Sequence, residues 1–187
     1  MADRPLNATA ASLLGFLHDG PMTGWDLVAA AESRIGDFWS LTQSQVYREL
    51  TAMAAAGLVR AGERGPRDRR PYELTEAGRA AFAEWASRDP GTEAIRFPLL
   101  LAVLFGRHLP PGRLAEHLAA HRRAHAERLA GYAAAAAQLP PGADEIEPYA
   151  IATLRFGLAY ERAVLAWFDD LPAGVTGTDP TEPPPPA

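Results

Sequence analysis

No cysteine and no lysine occur among the 187 residues. The first absence excludes disulfides, thiol nucleophiles and Cys-ligated zinc or iron–sulfur centres. The second excludes Schiff-base chemistry and a phosphate loop ending in Gly-Lys-Ser/Thr. All 18 basic residues are therefore arginine, a usage that accompanies abundant Ala, Gly and Pro and reads as genome composition rather than function. Long apolar runs are missing too, because the longest, residues 97–105, is far shorter than a membrane span. Met1-Ala2-Asp3-Arg4-Pro5 does not open a charged-then-apolar signal segment. The expectation is a soluble cytoplasmic protein with no membrane partner. There is also no Gly-x-Ser-x-Gly elbow, no His-Glu-x-x-His and no glycine-rich nucleotide loop. Acidic pairs such as Asp169-Asp170 and Asp144-Glu145 sit by helix ends, where solvation accounts for them. Neither catalysis nor a cofactor is expected.

What remains is ordinary globular material. The hydrophobic share is 48% and the formal charge is −5, enough chain for a real core and no polycationic coat. Such a total leaves room for a local basic patch, which is what a nucleic-acid site needs.

Helical periodicity and capping residues divide the chain. Asn7 caps a first helix carrying Ala10, Leu13, Leu14 and Leu17. Thr23 caps a second with Leu27, Val28, Ala31 and Ile35, closed by Gly36 as a C-terminal glycine. Thr42 caps a third, running to residue 57, with Val46, Leu50 and Met53 on the buried face. Ser44, Tyr47, Arg48 and Thr51 fall opposite, with Glu49 near the edge of that face. Residues 58–64 and 71–75 read as strands around a Gly, Pro and Asp turn, and Thr75 caps a helix from Glu76 to about Ser87 bearing Phe82 and Trp85. Asp89-Pro90-Gly91 marks a boundary between a domain at 1–88 and a helical domain at 89–171. The second contains a short buried helix at 97–105, a long Ala-rich helix at 113–139 and a last helix at 148–171. The last helix is apolar nearly all round and needs cover on most sides. Residues 172–187, ending in four consecutive prolines, read as a disordered or polyproline-type tail. The fold class is mainly α with a small β-hairpin. The order helix, helix, helix, hairpin, helix is the winged helix-turn-helix plan, whose third helix enters the DNA major groove.

The residue types suit double-stranded DNA. Gln43, Ser44, Tyr47 and Arg48, after the cap Thr42, present groups that pair with base edges or phosphate oxygens. Arg64, Arg67, Arg69 and Arg70 concentrate positive charge in the hairpin turn, fit for phosphate or a narrow minor groove. The backbone amides of Thr23 and Gly24 open the second helix and could meet a phosphate. His117, His121 and His125 stand four residues apart, a metal-compatible spacing. They also fit a heptad seam with Leu114, Leu118, Arg128, Tyr132 and Leu139, which makes His121 and His125 packed residues. No metal is expected.

Several segments together are diagnostic. They are Leu13-Leu14-Gly15-Phe16-Leu17; Pro21-Met22-Thr23-Gly24-Trp25-Asp26-Leu27; Thr42-Gln43-Ser44-Gln45-Val46-Tyr47-Arg48-Glu49-Leu50 followed by Ala56-Gly57-Leu58-Val59; and Arg70-Pro71-Tyr72-Glu73-Leu74-Thr75-Glu76-Ala77-Gly78-Arg79. On these, residues 8–86 resemble the PadR family of transcriptional regulators. Trp25 stands where that family more often has Tyr, and the Ala-rich 52–56 stretch is usually more charged. The later half is similar to the helical domain of the longer PadR regulators, on Tyr160-Glu161-Arg162-Ala163-Val164-Leu165-Ala166-Trp167-Phe168-Asp169. The resemblance implies a dimeric repressor, often relieved by a small molecule, and two-fold symmetry of such a dimer predicts an inverted-repeat operator. Phe38, Trp39, Phe156, Tyr160 and Trp167, with Arg155 as a polar group, suggest a small aromatic effector. The competing reading is a protein-interaction or ligand-binding module on the same scaffold, without DNA binding.

Overall fold

A computed structural model describes residues 6–65, 69–92 and 95–176. The chain divides into two compact units, residues 1–92 and 93–187.

The first unit runs α1 (Ala8–Phe16), a 3-10 turn (Leu17–Asp19), β1 (Met22–Thr23), α2 (Gly24–Ile35), α3 (Gln43–Ala55), β2 (Val59–Ala61), β3 (Pro71–Leu74) and α4 (Glu76–Ala86). Each of the four helices starts where a side chain caps it: Asn7 accepts from Ala10 N, Thr23 from Asp26 N, Thr42 from Gln45 N and Thr75 from Gly78 N. Thr23–Asp26 and Thr42–Gln45 are reciprocal capping boxes. The core is aliphatic, with Leu13, Leu14, Leu27, Val46 and Leu50 fully enclosed and Leu17 and Met53 beside them. The helical spacing of those residues in α1, α2 and α3 is what packs the three helices together.

The sheet has three antiparallel strands in the order β1-β3-β2, with Met22 opposite Tyr72 and Val59 opposite Leu74. The hairpin was legible in sequence. The strand β1 was not, because two residues are too few for any alternation to register. Two finer expectations change as well. Gly36 caps α2 in right-handed helical conformation, φ −56°, so it is not the left-handed C-terminal glycine expected. Glu49 does not sit at the edge of the exposed face. It is buried, and Asn7 Nδ2 donates to Glu49 Oε2 at 3.3 Å. Asn7 therefore caps α1 with its oxygen and ties α3 with its nitrogen.

The second unit comprises α5 (Pro98–Leu104), a 3-10 turn (Gly106–His108), α6 (Arg113–Ala137), α7 (Ala143–Ile146), α8 (Pro148–Asp169) and α9 (Ala173–Thr176). Leu99, Leu118 and Phe168 form its centre, flanked by Phe97, Leu165, Trp167 and Val175. Where α6 meets α8, the Tyr132 ring lies on Gly157, whose hypothetical Cβ would stand 2.8 Å from it. Alongside is a buried polar cluster. His125 Nδ1 is 2.5 Å from Glu161 Oε2, Arg128 Nε donates to Glu161 Oε1 at 2.8 Å, and Arg128 Nη2 lies 2.7 Å from His125 Nδ1.

That cluster corrects the seam expected for α6. His125 is buried against a carboxylate, not in an apolar seam, and His121 faces solvent. Among the described residues no group of three or more His, Cys, Asp or Glu could hold a metal ion. The helix expected to be buried at 97–105 buries only Leu99; Leu100, Leu101, Leu104 and Phe105 are exposed. Only one side of the seven-residue α5 is covered within the unit, so an apolar run was mistaken for an enclosed one. The segment read as tail begins with α9, and Val175 packs on the unit's centre; residues 177–187 lie outside the described residues. No described helix is long and apolar enough to cross a membrane.

One contact gives a clear test. A Cβ on Gly78 would lie 2.1 Å from the backbone oxygen of Leu58, which cannot swing aside. Gly78→Ala should therefore cost at least about 1–3 kcal/mol, read as a lower urea midpoint at unchanged slope. Gly131→Ala is the control, since its Cβ meets nothing within 4 Å in the middle of α6. It should be neutral or stabilising by about 0.5–1 kcal/mol.

Candidate nucleic-acid interface

The exposed face of α3 is built by default. With Val46, Glu49, Leu50 and Met53 inside, residues 44, 47, 48 and 51 can only point outward. Some of that polarity is already committed. Ser44 Oγ lies 3.1 Å from Thr42 Oγ1, and Thr51 Oγ1 donates to the Tyr47 carbonyl at 2.8 Å. Gln43 lies exposed at the open first turn, and Arg48 extends into solvent with its guanidinium 3.8 Å from Glu49.

Tyr47 reaches from α3 to the start of α2. Its ring lies on Gly24, where a Cβ would stand 2.7 Å from the ring carbons. Thr23, Gly24 and Tyr47 are thus one surface. At the same place the Asp26 carboxylate accepts from Thr23 Oγ1 at 2.7 Å and from Thr23 N at 3.0 Å. These hydrogen bonds, first the hydroxyl and then the amide, hold the Asp26 carboxyl below its usual range, and the positive charge of Arg69 adds to the effect. The base of the hairpin turn therefore bears electrostatically on the start of α2. Arg70 Nε donates to the Gly62 carbonyl at 3.0 Å, which fixes the root of that side chain across the hairpin. Arg64 and Arg70 flank a shallow recess of about 540 Å³ with Ala61, Gly62 and Glu63. Arg67 lies outside the described residues. On β2, Arg60 donates to Glu73 at 2.6 Å, and that bond raises the pKa of its guanidinium.

Trp25 was missed by the reading of the sequence. It stands 57% exposed in the first turn of α2, beside Gly24. The signal was available: position 25 is off the Leu27–Ala31 face, so a large ring there has no core to enter.

Residues 13–84 match the PadR-like family of transcriptional regulators, and residues 95–173 match the family described as virulence activator alpha C-term. Over residues 13–84 the chain is similar to the PadR-like family. That family is one of transcriptional regulators, not of enzymes. The negative transcriptional regulator PadR of Bacillus subtilis is 29% identical to it over 98 residues, 50% of this chain and 54% of that protein. The match thus spans about half the length of that relative. The same protein solved in complex with operator DNA superposes with a TM-score of 0.73 at 21% identity, covering 89% of this chain and 97% of the other. Its complex with p-coumaric acid gives 0.66 at 20%, covering 93% and 98%. The virulence activator AphA of Vibrio cholerae gives 0.71 at 25%, covering 92% and 100%.

The residues suggested for an aromatic ligand are divided between the two units. Phe38 and Trp39 belong to the first unit, each about one-third exposed in the connector before α3. Phe156 and Tyr160 stack on each other on α8, centroids 6.3 Å apart. Trp167 instead enters the centre of the second unit, 4.8 Å from Phe168 and 6.3 Å from Phe97. Eleven residues of helix separate it from Phe156 by about 16 Å. Arg155 is bridged to Asp144 at 2.7 Å.

The Asp26 box supplies a pH test. Its carboxyl is depressed in the folded chain, so its contribution is present above the unfolded value of 3.8 and is lost as pH falls through the lower folded value. Asp26→Asn should be less stable than the parent at neutral pH. The gap should close under acid, read from urea midpoints across the series.

Proposed function

We propose that this chain is a sequence-specific regulator that binds double-stranded DNA as a homodimer and represses transcription from an inverted-repeat operator. The observation that carries the reading is the acid-free face of α3 beside an arginine-bearing hairpin, on a helix whose other face is locked in the core. In this reading Gln43, Ser44, Tyr47 and Arg48 approach base edges and phosphates. Thr23, Gly24 and Thr42 offer helix-start groups to phosphates, and Arg64, Arg67, Arg69 and Arg70 neutralise the backbone. The operator-bound Bacillus PadR, of the same fold, supports it. The first unit is the DNA-binding domain, and the second serves dimerisation and effector response.

A single short recognition helix buries too little surface for tight specific binding, which favours a dimer. Its contacts would come from α6, α8 and the uncovered apolar side of α5. The effector is a small aromatic molecule, held by the Phe156–Tyr160 stack with Arg155 nearby. The p-coumaric acid complex of Bacillus PadR supports that class. The working compartment is the cytoplasm.

A gel shift and footprint on the chain's own upstream DNA test this. Protection should fall on half-sites about 10 base pairs apart. Arg69→Ala with Arg70→Ala should weaken specific and random DNA alike and lower the log–log salt slope by about one per lost phosphate contact. Gly24→Ala should displace only the end of the Tyr47 ring, lowering operator affinity with little loss of stability. Upstream DNA bound no better than random DNA, or a monomer in sedimentation at micromolar concentration, overturns the reading.

A further inference from the structure

A cleft of about 280 Å³ lies where the end of α6, α7 and the start of α8 converge. Ile151, Leu154 and Leu158 line it from one face of α8, Leu139 closes it from the other side, and Ala143 lies on α7. The lining contains no aromatic ring. Its only charged groups are Arg155 and Asp144, bridged at 2.7 Å with side chains 67% and 58% exposed.

We propose that this cleft binds a medium-chain aliphatic monocarboxylate, with the hydrocarbon against Leu139, Leu154 and Leu158 and the carboxylate on Arg155 in place of Asp144. Volume sets the chain length. At about 30 Å³ per water-sized group the cleft holds roughly nine of them, the size of a six- to eight-carbon acid. The lining sets the body of the ligand. Aliphatic walls gain by covering methylenes, while an aromatic body would find no ring to stack on. The rim sets the head group. A guanidinium receives a carboxylate in a planar two-point contact. The present partner gives way easily, because an exposed ion pair contributes little. Once released, Asp144 stays in water, so no charge is buried unpaired. A second carboxylate on the ligand would meet Asp144 and be repelled.

The cleft is thus distinct from the Phe156–Tyr160 stack, neither residue of which lines it. Ligand entry also breaks the bridge that ties the four-residue α7 to α8. Any effect on operator affinity rests on the DNA-binding reading; occupancy of the cleft does not.

The test is calorimetric titration of the full chain with sodium octanoate, without DNA. Butyrate and 1-octanol are the comparison ligands. Octanoate should bind saturably at one site per chain, and each comparison ligand should bind at least tenfold more weakly. Arg155→Gln should weaken octanoate about tenfold, the loss of a charge-assisted contact. Asp144→Asn should tighten it several-fold by freeing Arg155, a sign that nonspecific adsorption would not give. Leu154→Trp should abolish binding by filling the cleft. Both rim substitutions are at exposed side chains, so they keep the test valid if the Trp variant fails to fold. The proposal is overturned by absence of saturable octanoate binding, by octanol binding as well as octanoate, or by indifference to both rim substitutions. Because no DNA is present, failure here leaves the operator reading standing, and failure of the gel shift leaves this result standing.

Discussion

Burial of Val46, Leu50 and Met53 is the constraint on which the candidate interface depends. Each fully buried aliphatic side chain is worth about 1.5–3 kcal/mol, so the three together hold α3 with about 5–9 kcal/mol. Turning the helix by one residue, roughly 100°, would expose them and bury Tyr47 or Arg48. That loss is comparable with the whole stability of a small domain. The outward face is therefore as firmly specified as the core, although little touches it. Glu49 sharpens the setting. A carboxylate buried beside the Asn7 amide tolerates no rotation that leaves it unpaired.

Much of this was legible because it was local. Asn7, Thr23, Thr42 and Thr75 each announce a helix start through an interaction three residues long. The aliphatic spacing in α1 to α3 names the buried face without knowledge of the partner. The polar side of α3 then follows by subtraction, and so do Gln43, Ser44, Tyr47 and Arg48. What failed was non-local. Glu49 is buried by Asn7, 42 residues away, and nothing in its own helix reveals that. The ring of Tyr47 lies on Gly24, a contact fixed by how two helices meet.

In the second unit composition misled in both directions. An apolar run suggests enclosure, yet α5 leaves Leu100, Leu101, Leu104 and Phe105 in solvent. Histidines at heptad spacing suggest an apolar seam, yet His125 meets Glu161 from another helix. Trp167 and Phe156 share helical spacing but have different surroundings, because eleven residues of rise outweigh similar azimuth. The cleft beside Arg155 is lined from three elements, so no stretch of the sequence contains its pattern.

The Glu161–His125–Arg128 cluster has a mechanical consequence. A carboxylate enclosed this deeply is tolerable only while its partners stay within hydrogen-bonding reach. Sliding α8 along α6 by one turn, about 5.4 Å, would strand Glu161 among apolar side chains. It would also drive Tyr132 off Gly157, the one position in α8 bare enough to receive its ring. The two helices are keyed against axial slip and move as one strut. Motion arising in this unit is carried as a tilt or rotation of the pair, never as a ratchet of one helix past the other.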